Sequence, residues 1–139
     1  MLPSPKSTAQ IGFFTALFDQ LNQKHPLYLL AHSIRWTVFD EAFKKHYSEK
    51  MGKPARPIRL MVALLILKHL RNISDEKLVE QWSENLYFQY FSGEHYFQLH
   101  IPCVPTELVA FRQRIGEEGA ELILKEIIRV NHPPGQAKK

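Results

Sequence analysis

Three polar side chains in a row, Arg112, Gln113 and Arg114, lie on a segment whose apolar residues recur at Leu108, Phe111 and Ile115. Arginine can grip guanine with two hydrogen bonds and glutamine can grip adenine, so this trio on a short helix is the make-up of a base-reading helix. A second group is basic only. Lys44, Lys45, Lys50, Lys53, Arg56 and Arg59 face a single acid, Glu49, between residues 44 and 59. Such a cluster suits the phosphates of a nucleic acid. Residues 1–56 carry eight Lys/Arg against four Asp/Glu, residues 57–92 four against four and residues 93–139 six against six. The whole net charge of +4 therefore comes from the first part of the chain.

Other chemistry is thinly represented. His95 and His100 share a loop without the spacing of a metal site. Cys103 is the sole cysteine, has no evident base to activate it, and reads as a structural thiol. One cysteine also means no disulfide framework, which places the chain in the cytoplasm. No phosphate-binding glycine loop, H-E-x-x-H or G-x-S-x-G pattern occurs. No catalytic residue, metal site or cofactor is expected. No secretory leader or membrane span is expected either.

The elements that must position these residues are helical. Pro57 to Leu70, PIRLMVALLILKHL, holds eight consecutive apolar residues from Leu60 to Leu67. A helix apolar all round is buried, and this one is too short to cross a bilayer. The expected fold is all-α, a compact multi-helix domain with helix-turn-helix-like character around this central helix. Residues 1–10 read as a disordered lead, 11–131 as the domain and 132–139 as a flexible tail. Ile11 to Leu21 has amphipathic spacing. Pro26 opens a helix to His32, and Thr37 is the expected N-cap of a helix reaching Tyr47. Ser48 to Arg56 reads as a loop. Ser74 caps a helix whose first turn holds Asp75 and Glu76. Leu86 to Phe91 forms a short aromatic helix ended by Ser92-Gly93. Its hexapeptide Glu84 to Gln89 spells a protease site used in expression tags, but the apolar pattern runs through it without a seam. Thr106 is the expected N-cap of the helix bearing the Arg-Gln-Arg trio. Gly116 supplies a stop or hinge before a last helix, Glu117 to Val130.

Two long stretches, Lys53 to Glu94 and Leu99 to Gly119, together with HPLYLLAHSIRW at His25 to Trp36, resemble the amino-terminal region of bacterial insertion-sequence transposases of the insertion-sequence-five type. The likeness runs from about His25 to Ile128. It implies a helical region that binds double-stranded DNA at the element's terminal inverted repeats and helps pair the ends. In that family a nuclease core follows, whose Asp, Asp and Glu bind two Mg²⁺ or Mn²⁺ ions. None of Asp19, Asp40 and Asp75 corresponds to that triad, so no catalytic residue is carried over. The expectation is a truncated remnant or first reading frame without the catalytic core, with a second copy or a full-length transposase as possible partner. The alternative is a protein-interaction module dimerising through the aromatic stretch Leu86 to Phe97.

Overall fold

The computed structural model describes Asp19, residues 21–46 and residues 56–131. The expected helix at Ile11 to Leu21, most of the Ser48 to Arg56 loop (with Lys50 and Lys53), and the lead and tail lie largely or wholly outside these. The described residues are all-α: α1 (Pro26–Ser33), α2 (Trp36–Phe43) running into a 3₁₀ turn (Lys44–His46), α3 (Ile58–Arg71), α4 (Asp75–Trp82), α5 (Leu86–Phe91) and α6 (Pro105–Asn131).

α3 is the centre. Leu60, Met61, Val62, Ala63, Leu64, Ile66 and Leu67 are all buried, which its unbroken apolar run requires. α2, α4 and α6 pack around it, and α1 rests on α5. Asn72 ends α3 in the left-handed region at φ 54°, with its N–H donating to the Lys68 carbonyl at 2.8 Å. This tight ending turns the chain into α4 within three residues. Ser74 caps α4 as its sequence position implies, its Oγ accepting from Lys77 N–H at 3.1 Å.

Two expected caps are corrected. α2 begins at Trp36 rather than Thr37, and the residue at its N-cap, Arg35, makes no side-chain cap of its own. α6 begins at Pro105 rather than after Thr106. Proline suits that first helical position, and the Glu107 carboxylate reaches back to accept from Val104 N–H at 2.9 Å.

α5 spends its rings inward. Phe88 and Phe91 are buried, and Tyr90 stacks on Tyr28 at 5.0 Å between centroids. Gln89 is fully buried. Its amide donates to the carbonyls of Trp82 and Gln98, and its Oε1 accepts from Gln98 N–H at 2.6 Å. That satisfied carboxamide fixes the 92–104 loop to the core. The hexapeptide ending in Gln89 is thus an integral part of the fold.

α6 is two helices in one. Gly116 interrupts it at φ 67°, ψ −168°, a region essentially reserved for glycine. The expected hinge is therefore present, though the chain continues helical on both sides.

Candidate nucleic-acid interface

The first half of α6 is anchored by Leu108, Phe111 and Ile115, all buried. Phe111 meets Phe43 edge-on at 6.0 Å, which sets this half-helix beside the end of α2. The 3₁₀ turn Lys44–His46 follows Phe43 directly, so its basic residues sit next to the outer side of α6. Arg114, one turn beyond Phe111, closes the gap: its Nη1 donates to the His46 carbonyl at 3.3 Å. Arg114 thus meets the end of the basic turn Lys44–His46, although 68 residues separate Arg114 from His46. Lys45, Gln113 and Arg114 are exposed. Lys44 lies 3.4 Å from Glu41 in an exposed pair, which binds it weakly.

The other expected contacts are placed differently. Arg112 turns to α4, donating from Nη2 and Nη1 to the two carboxylate oxygens of Asp75 at 2.9 and 3.2 Å. Lys68 Nζ approaches the same carboxylate at 3.4 Å. The hydrogen bond from Arg112 leads the effects that hold Asp75 below the usual carboxylate range, with the charges of Arg112 and Lys68 adding to it against the cost of burial. Arg112 and its neighbours on α6 thus face different ways: Arg112 braces α4, while Gln113 and Arg114 face out.

Arg59 is also turned inward rather than toward a phosphate. Its guanidinium lies 4.3 Å from the Trp36 ring centroid, and its Nη2 donates to the Phe91 carbonyl at 3.2 Å. Its Nε is buried without a hydrogen-bond partner, and burial lowers its pKa. Gly93, at φ +95°, lets the chain pass beside it. A Cβ there would come within 3.0 Å of Arg59 Cδ. Arg56 makes two long contacts of 3.4 Å to Glu107 at the start of α6. That pair draws the entry to α3 toward the same half-helix.

A carboxylate that sequence reading missed ties the rest together. Glu126 is only 2% exposed, yet it accepts from the backbone N–H and guanidinium of Arg35 and from Arg129. One signal for it was available: Glu126 falls between Ile123 and Ile127 on the inner stripe of its helix. A charge in that position needs partners.

His95 and His100 are exposed, and His100 Nδ1 meets its neighbour's carbonyl, that of Ile101, at 3.0 Å. Among the described residues no group of three or more His, Cys, Asp or Glu side chains could hold a metal ion. None of their helices is long and apolar enough to cross a membrane. Cys103 is buried, and burial, with the nearby Glu107 charge, pushes its thiol up to about 11.

A family described as a transposase domain (DUF772) matches residues 15–114, a span that includes the basic turn and the Arg-Gln-Arg trio. The chain is also 39% identical over 139 residues to "Uncharacterized protein ORF8 in nfe locus" of Rhizobium meliloti, a match covering 99% of this chain and 67% of that protein. No solved structure matches it.

Proposed function

The chain belongs to the transposase-domain family DUF772, and on that premise we propose that it binds double-stranded DNA as the amino-terminal domain of an insertion-sequence-five-type transposase. The DNA is the terminal inverted repeat of the element. The observation that supports this reading is the Arg114 contact to the His46 carbonyl, which brings the helix of the Arg-Gln-Arg trio against the basic turn Lys44–His46. Lysines at its edge suit phosphates, which supply affinity without sequence information. Gln113 and Arg114 suit base edges in the major groove. Lys50 and Lys53 extend the phosphate set in this proposal, and Arg112 positions the half-helix through Asp75 rather than reading bases. We assign no catalytic residue. Of the three aspartates, Asp75 is committed to Arg112 and Lys68.

Fluorescence anisotropy with a labelled inverted-repeat duplex and a scrambled duplex tests the reading. Lys44→Ala with Lys45→Ala weakens binding to both duplexes alike and reduces the salt slope by about 2. Gln113→Ala weakens binding to the repeat by about tenfold and leaves the scrambled duplex unaffected. Equal affinity of all variants for both duplexes would overturn the assignment.

A further inference from the structure

The second half of α6 carries an apolar face that the other described residues leave exposed. Ala120, Leu124 and Ile128 follow one another at four-residue spacing, so they line one side of the helix. Leu124 is 45% exposed and Ile128 51%. Alongside runs a groove of about 620 Å³ between this half-helix and the C-terminal half of α3, lined by Leu65, His69, Ile115, Ile123, Leu124 and Ile127. Large aliphatic side chains exposed beside an apolar groove mark an interaction surface.

The flanking charges name the occupant. Glu117 and Glu121 lie toward the N-terminal end of this half-helix and Lys125 toward its C-terminal end, all exposed. Laid antiparallel about a two-fold axis level with residue 123, two copies bring Glu121 of each opposite Lys125 of the other. The pattern is self-complementary in the sense that a two-fold dimer requires.

We propose that residues 117–128 of α6 and the adjoining groove form a homodimer interface, with the two helices antiparallel and Leu124 near the axis. This surface is separate from the aromatic stretch Leu86 to Phe97, in which Phe88 and Phe91 are buried and Tyr96 is exposed. It is independent of the DNA-binding reading, because its test contains no DNA.

Sedimentation velocity over a concentration series is the test. The wild-type chain sediments at twice 16.3 kDa at the upper concentrations. Leu124→Glu weakens self-association by about tenfold or more, because the new charge is buried at the axis. Leu124 is half-exposed in the monomer, so helical circular dichroism and Tm of this variant stay unchanged. Glu121→Lys and Lys125→Glu each weaken the dimer alone by setting like charges across the axis. Mixed together, the two variants recover association, since each Lys then faces a Glu. A wild-type chain that stays monomeric throughout would overturn the proposal and leave the groove to a different protein. A dimer that survives Leu124→Glu, or charge variants that do not recover on mixing, would overturn it as well.

Discussion

Glu126 accepts the backbone N–H of Arg35 at 2.8 Å and the Arg35 guanidinium at 2.7 Å, across 91 residues of sequence. Arg35 stands at the N-cap of α2 and lacks a capping side chain of its own. The last turns of α6 thus supply the cap for α2. Arg129 completes the network, bonding Glu126 and donating to the Ser33 carbonyl at the end of α1 at 2.8 Å. A single carboxylate thereby locks the α1–α2 junction to α6.

That arrangement makes the fold acid-sensitive. Burial alone would raise the Glu126 pKa. The hydrogen bonds from Arg129, from the Arg35 side chain and from the Arg35 backbone outweigh it and hold the carboxyl at about 2, against an ordinary value of 4.5. A depressed carboxyl stabilises the fold above its unfolded pKa and loses that contribution as pH falls. The window is therefore pH 4.5 down to about 2. The amount at stake is about 3 kcal/mol. Urea unfolding at stepped pH is expected to show this loss, and Glu126→Gln is expected to lower stability at neutral pH and flatten the acid limb. An identical pH profile for both proteins would contradict the role given to Glu126.

Arg112 and Asp75 tie α6 to α4 with two hydrogen bonds, and their side chains are 36% and 15% exposed. Removing Arg112 leaves a largely buried carboxylate with Lys68 alone. Arg112→Ala is expected to cost about 1–3 kcal/mol of unfolding free energy. A double-mutant cycle with Asp75→Ala should return a coupling energy of about 1 kcal/mol or more. Strict additivity would mean that the pair carries no energy.

Gly116 allows one chain segment to serve two partners. The half-helix before it places Arg112 on Asp75, and the half-helix after it places Glu126 on Arg35. A Cβ at Gly116 would meet no atom within 4 Å, so the cost of a side chain lies wholly in the backbone. Gly116→Ala either holds the kink at about 1–3 kcal/mol or straightens the helix and breaks one of the two contacts. The expected result is a lower Tm. Straightening would add a gain in helical ellipticity. An unchanged Tm would show that the kink does not constrain the fold.

Cys103 is expected to be inert in the native chain. Burial and the charge of Glu107 keep it as a thiol, and alkylation proceeds through the thiolate. Labelling by iodoacetamide at mildly alkaline pH should follow global unfolding and become rapid in urea. Fast labelling of the folded protein would place Cys103 on an accessible surface instead.

The sequence was most informative where the signal is local. The unbroken apolar run from Leu60 to Leu67 announced a buried central helix, because no face of it could be left in water. Ser74 announced the start of α4, since a hydroxyl there satisfies an N–H three residues away. Gly116 announced a hinge because few other residues adopt its backbone angles. Thr37 and Thr106 misled on the same local logic, since either could have capped a helix. The caps came instead from Glu126 and Glu107.

The outward character of the Arg-Gln-Arg helix was only partly legible for a related reason. Helical spacing decides which residues leave the apolar stripe. It does not decide which arginine then finds a carboxylate from another element. Arg112 finds Asp75, 37 residues away, and Arg59 finds the Phe91 carbonyl, 32 residues away. Arg114 is exposed and finds the His46 carbonyl, 68 residues away. The sequence by itself determined the all-α class, the buried α3 and where its basic residues fall along the chain. Only the tertiary structure decided which partner each arginine meets, because a long flexible arginine takes its direction from the acceptors that other elements bring to it.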